Sequence, residues 1–176
     1  MAEIDAFFQA NAHYVAGFTK GTLPMPPGRH LAVVTCMDAR LDPAKALGLE
    51  EGDAHVIRNA GGVATDDAIR SLVISQRLLG TGEIVLLHHT ECGMLTFRDD
   101  ELKRQIEEET GIRPAFAMEA FSDVAEDVSQ SIRRITNSPF IPNKASVRGF
   151  VYDVKTGRLE EVIPVGPDER RQRHEH

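Results

Sequence analysis

Leu31-Ala32-Val33-Val34-Thr35-Cys36-Met37-Asp38-Ala39-Arg40 begins with a short apolar, β-branched run and breaks into a polar loop, the pattern of a strand buried on both faces. Glu83-Ile84-Val85-Leu86-Leu87-His88-His89-Thr90-Glu91-Cys92-Gly93 repeats that pattern and again ends in polar, potentially ligating side chains. Between the two, Asp42-Pro43 supplies a cap and first-turn proline for a short helix ending near Gly48, and Ala54 to Arg58 reads as another strand. Asn59-Ala60-Gly61-Gly62 turns the chain, and Thr65-Asp66-Asp67 caps a helix whose apolar positions Ile69, Leu72, Val73, Leu78 and Leu79 precede Gly80. The order is β-α-β-α-β. Strands joined by crossover helices pair in parallel with right-handed connections, so their carboxyl ends line one sheet edge, where open α/β sheets bind ligands.

Upstream, Ile4, Phe7, Phe8, Ala12, Val15 and Phe18 carry a helical spacing, and Gly21 to Gly28, with three prolines, separates this arm from the body. Downstream, Asp99 to Thr110 and Ser122 to Thr136 read as helices, and Ser146 to Val154 with Leu159 to Ile163 as a hairpin around Lys155-Thr156-Gly157. The expected fold class is α/β: a single domain with a central, mainly parallel β-sheet flanked by helices and an N-terminal helical arm. Residues 1–30 form the arm and proline-rich connection, 31–165 the domain carrying the chemistry, and 166–176 a polar, frayed tail.

A chain of 176 residues, 41% hydrophobic and 27% charged, suits one packed core and excludes disordered or collagen-like classes. The net charge of −7 disfavours a nucleic-acid partner. No run approaches the ~20 apolar residues of a membrane helix, so no membrane span is expected. The acidic start Glu3-Ile4-Asp5 lacks the basic and apolar regions of a signal peptide, which makes cytoplasmic residence the default. Two cysteines are too few for a disulfide scaffold, so their surroundings decide their role.

Cys36, with Asp38 and Arg40 behind it, and His89-x-x-Cys92 fall at two strand ends that the sheet brings to one edge. Two thiolates and an imidazole fill three of four tetrahedral positions, a catalytic zinc pattern with one position open. The donors favour Zn2+ over magnesium, calcium or manganese, while Co(II), Fe(II) or a cluster also accept them. Taken alone, Cys36 reads as a small core hydrophobe, and the pair as a transient disulfide. The coincidence of both clusters at one edge favours metal. His88 and His89 point to opposite faces of a strand, so only one can coordinate. The three-residue spacing to Cys92 selects His89 and leaves His88 as a packed or hydrogen-bonded core residue. His13, His30 and His55 read as structural or solvent-facing, and His174-Glu175-His176 as an adventitious metal scavenger. In an extended loop Asp38 and Arg40 point the same way and can pair. Read blandly this is a surface ion pair; beside a metal it is a held carboxylate that can orient a ligand or become the fourth donor itself.

Cys36-x-Asp38-x-Arg40 followed by His89-x-x-Cys92-Gly93 resembles the signature of the β-class carbonic anhydrases, with Arg58-Asn59-Ala60-Gly61 similar to that family's turn. The likeness runs from about Leu31 to Cys92 and more loosely through Arg148 to Asp153, and the short chain looks like the compact prokaryotic branch. The resemblance implies a zinc lyase, carbonate dehydratase, that reversibly hydrates carbon dioxide to bicarbonate and a proton by metal-bound hydroxide. It implies Cys36, His89 and Cys92 as ligands, and Asp38 and Arg40 as a gate in which a released Asp38 becomes the fourth ligand. It also implies a homodimer or tetramer, with the N-terminal helix laid over a neighbour. From the residues alone, burial of that helix in its own core competes with the neighbour. The chain departs from the family at two points: with no tryptophan it cannot build the Trp, Arg and Tyr bicarbonate pocket, and no residue is matched to the family's pocket glutamine. Competing readings are a carbonyl sulfide or carbon disulfide hydrolase on the same scaffold and a non-catalytic zinc or redox-sensing protein. Nucleotide binding at Arg58 to Gly62 ranks lowest, since no Gly-x-Gly-x-x-Gly or Walker pattern accompanies it.

Overall fold

Six consecutive buried residues, Leu31–Cys36, form strand β1, and the computed structural model, which describes Glu3–Pro164, builds the domain around it. β1 pairs in parallel with β2 (Ala54–Asn59) on one side and β3 (Glu83–His89) on the other. β3 continues in parallel to β4 (Val147–Tyr152), and β4 folds back antiparallel to β5 (Leu159–Val162). The sheet order is β2-β1-β3-β4-β5; its mainly parallel pairing, with the β4–β5 hairpin at one edge, is what the sequence implied.

Three of the helices start where side-chain capping places them. The proline-rich connection follows α1 (Phe7–Ala16). α2 (Pro43–Leu47) starts on Asp42, whose carboxylate accepts the Lys45 N–H, and stops at left-handed Gly48. α3 (Asp66–Leu79) starts on the Thr65 hydroxyl and stops at Gly80. α4 spans Asp99–Thr110, and α5 spans Val124–Asn137 with Asp123 as its cap, one residue beyond the Ser122 start that the sequence suggested. Strand alternation divides the core into two layers. Ala32, Val34, Ile84 and Leu86 meet Leu72 of α3 and Val128, Ile132 and Ile135 of α5 on one face. Leu31, Val33 and Leu87 meet Leu41, Leu49 and the α2 residues on the other.

α1 buries nothing. Phe7 is 61% and Phe8 87% exposed, so the alternative in which this helix folds onto its own core is not realised. Its side-chain anchors are the Tyr14 hydroxyl on Glu51 and, just beyond it, Lys20 beside Glu50 and Glu51. The tail assigned to 166–176 lies outside the described residues. Among the described residues no helix is long and apolar enough to cross a membrane.

Candidate metal centre

The carboxyl ends of β1 and β3 deliver Cys36 and His89 to the same edge, and the turn after β3 returns Cys92 to them. The three donor atoms lie within 4.8 Å of one another and all three residues are buried. The sulfurs of Cys36 and Cys92 stand 3.9 Å apart and both cysteines are free. Two thiolates each about 2.3 Å from a shared tetrahedral centre would stand about 3.8 Å apart, so the pair already has zinc spacing. His89 donates from Nδ1 to its neighbour's Thr90 carbonyl at 2.9 Å, which leaves Nε2 as the ligating nitrogen. That Nε2 is buried with no hydrogen-bond partner, a cost that a bound cation removes. The residues therefore fit a zinc ion.

The two thiols also act on each other's protons. A hydrogen bond from Cys92 lowers the pKa of Cys36, and the same bond, with burial, raises that of Cys92, so the pair holds one proton in common. Burial pushes the pKa of His89 down, but the Cys36 sulfur and the Thr90 carbonyl outweigh it and the net shift is upward.

Backbone geometry around Cys36 is held by two devices. Arg58 on β2 donates from Nε to the Cys36 carbonyl at 2.9 Å and from Nη2 to the Asp38 and Leu41 carbonyls at 2.8 and 2.9 Å, pinning the loop that follows β1. Arg58 thus serves as scaffold rather than as a nucleotide-binding group. Gly62, at φ +75°, lies so close that a Cβ there would come 2.9 Å from the Cys36 nitrogen and the Thr35 carbonyl carbon. Only glycine combines that approach with that conformation.

Asp38 and Arg40 pair as the sequence anticipated. Arg40 donates from Nε to Asp38 Oδ1 at 3.0 Å, from Nη2 to Oδ2 at 2.8 Å, and from its backbone N–H to Oδ1 at 2.8 Å. These bonds hold the Asp38 carboxyl far below the usual carboxylate range. Asp38 Oδ2 lies 3.6 Å from His89 Nε2, which puts the carboxylate beside the donor set.

His88 faces the other way, fully buried, with Nε2 2.8 Å from the Asp127 carboxylate on α5. His55 bonds Ser75 and His30 the Gly80 carbonyl, both structural roles. Sequence reasoning did not single out Phe97, Phe121 and Met94, which pack with the two cysteines and wall the site with apolar surface. Phe121 arrives from the connection between α4 and α5, 29 residues beyond Cys92 and 85 beyond Cys36, and nothing in its local pattern signals this. Glu91 and Lys155 were also missed; they meet in an ion pair at the site's rim.

With this geometry in view, comparison with known proteins is consistent across sequence and structure. A family model described as carbonic anhydrase matches residues 31–159. β-Carbonic anhydrase 1 of Mycobacterium tuberculosis is 61% identical over 164 residues, covering 93% of this chain and 100% of that protein. A carbon disulfide hydrolase of Acidithiobacillus thiooxidans is 36% identical over 156 residues, covering 77% of this chain and 78% of that protein. Among solved structures, carbonic anhydrase from Streptococcus mutans superposes with a TM-score of 0.87 at 47% identity, covering 93% of this chain and 99% of that one.

Proposed function

The chain belongs to the β-carbonic anhydrase family, zinc enzymes that reversibly hydrate carbon dioxide to bicarbonate and a proton, and from that premise we propose that Cys36, His89 and Cys92 hold the metal while Asp38 and Arg40 serve the reaction. The observation that carries the assignment is the buried, unpartnered His89 Nε2 grouped with two sulfurs at zinc spacing. When bound, zinc acts as a Lewis acid that brings the pKa of a water toward roughly 7, and two thiolates, by offsetting its charge, set that pKa higher than three imidazoles would.

The remaining work falls to the chain's own residues. Arg40 occupies both carboxylate oxygens of Asp38, which keeps Asp38 from adding itself to the donor set. Because those bonds hold Asp38 ionised, it serves as a hydrogen-bond acceptor at the reacting centre and is too weak a base to carry the proton away. Met94, Phe97 and Phe121 supply apolar surface suited to a small linear substrate without hydrogen-bond donors.

We assign the arm to residues 1–30 and the catalytic domain to 31–165. The exposed apolar face of α1 supports a homodimer or a tetramer, and two free thiols used as ligands suit the reducing cytoplasm. The deciding test is stopped-flow hydration of carbon dioxide between about pH 6.5 and 9, with zinc counted per chain on the same sample. One zinc and a metal-dependent rate rising with pH is the expected result. One zinc with sulfide released from carbon disulfide and no hydration would transfer the site to the other relatives' reaction.

A further inference from the structure

Glu91 sits between two of the proposed ligands in the left-handed region, at φ +53°, where glycine or asparagine is the inexpensive choice. Its main chain and side chain both engage cations. Its carbonyl accepts from Arg40 Nη2 at 3.0 Å, its Oε2 lies 3.8 Å from Arg40 Nη1, and its Oε1 pairs with Lys155 Nζ. Lys155 is delivered by the β4–β5 turn, which is seated against the ligand loop: the Val154 N–H donates to the Thr90 hydroxyl at 3.1 Å and the Thr90 N–H to the Tyr152 carbonyl at 2.9 Å. Asp153 fixes that turn by accepting the N–H groups of Lys155 and Thr156.

Arg40 is therefore offered two carboxylates. Asp38 holds it through two side-chain hydrogen bonds, while the Glu91 carboxylate stands beyond hydrogen-bond reach with its charge engaged by Lys155. We propose that Glu91 and Lys155 are positioning residues forming a charge-balanced brace: Glu91 fixes the flank of Arg40, and Lys155 restrains the Glu91 carboxylate from drawing Arg40 off Asp38. The four side chains sum to zero charge. Without Lys155, Glu91 is free to close on Arg40 and compete with Asp38; without the Glu91 charge, the competition ends. The inference rests on the assignment of Asp38 and Arg40 to the reaction. Since Lys155 is 72% exposed and Glu91 and Arg40 each 49%, the competition is screened by salt.

The test follows the Arg40 Nε–H, which donates to Asp38, by its solvent exchange in nitrogen-15 NMR of the zinc-loaded chain. Lys155→Ala is expected to speed that exchange about two- to fivefold at low ionic strength, with the effect fading in about 0.5 M salt, and to lower kcat by a similar factor. Glu91→Gln is expected to slow the exchange or leave it unchanged, Glu91→Gln in the Lys155→Ala background to reverse the acceleration, and Lys155→Arg to retain the wild-type value. Exchange in Lys155→Ala equal to wild type, or equally fast in the double variant, overturns the brace. Exchange that follows this pattern while Asp38→Ala and Arg40→Ala hydrate at wild-type rates upholds the brace and overturns the role of the pair it supports.

Discussion

Asp38 is the residue on which the proposed chemistry turns, and its substitution separates metal binding from rate. Asp38→Ala removes no donor of the Cys36, His89 and Cys92 set, so the chain should keep its zinc while kcat falls about 10- to 100-fold, the range for groups that orient ligands. Cys36→Ser or Cys92→Ser should lose zinc and activity together. Metal analysis beside stopped-flow rates checks both. The proton shared by the two thiols carries a further expectation. In the metal-free chain Cys36 is the more acidic thiol and Cys92 keeps the proton, since its pKa is raised. Zinc needs both as thiolates, so binding near neutral pH must expel roughly one proton, and affinity should fall about tenfold for each unit of acidification. Protonation of His89, whose pKa is also raised, steepens the fall at lower pH. Calorimetry in buffers of different ionisation enthalpy counts the proton directly, and a pH-independent affinity would contradict the shared-proton arrangement. The three donors and the Asp38–Arg40 pair were legible in the sequence because strand ends and short spacings encode them. Glu91 and Lys155 were not, because the contact joins residues 64 positions apart and depends on how the β4–β5 turn sits against the ligand loop.

At the scale of elements, the site depends on α5 being pressed against β3 and β4. Asp127 of α5 is the acceptor for the buried His88 ring, and His88 adjoins His89 on the same strand. Asp127→Ala would leave a buried ring N–H without a partner, beside an Nδ1 that already lacks one, and should cost about 2–4 kcal/mol in urea unfolding. α5 comes so close to β4 that a Cβ on Gly149 would lie 2.2 Å from Val128 Cγ1. Gly62→Ala strains the backbone as well as the packing at Cys36, and is expected to cost roughly 2–5 kcal/mol and weaken zinc retention, where a surface Gly→Ala would do neither. The elements themselves were readable because caps and stops are local: Asp42, Thr65, Gly48 and Gly80 act on neighbours within the same turn. Ser122 and Asp123 are both capping types in adjacent positions, and only the Asp123 bond to the Glu126 N–H resolves which one begins α5. The parallel pairing followed from the crossover helices, whereas the order β2-β1-β3-β4-β5 depends on packing between distant segments and had no local signal.

For the molecule as a whole, α1 is an element without a core. Ile4, Phe7, Phe8, Tyr14, Val15 and Phe18 are all exposed, an apolar surface concentrated on one short arm. An isolated helix of 10 residues is marginal in water, because too few hydrogen bonds repay its nucleation. A surface outside its own chain would bury the arm, and a second copy would supply one at the chain's own concentration. If α1 lies across a partner, Phe7→Ser with Phe8→Ser should weaken the assembly while leaving β1 to β5 intact, since that helix buries no residue and contributes none to either core layer of the sheet. Sedimentation velocity should then show a concentration-dependent shift toward the mass of one chain, 19.4 kDa, with an unchanged far-ultraviolet spectrum apart from the loss of about one short helix. A wild-type sample sedimenting as a single chain at micromolar concentration would remove the partner from the account and leave the exposed phenylalanines without a function. If the site borrows order from the neighbour, activity should fall along the same dilution curve as mass; activity constant through dissociation would place the whole catalytic apparatus within one chain.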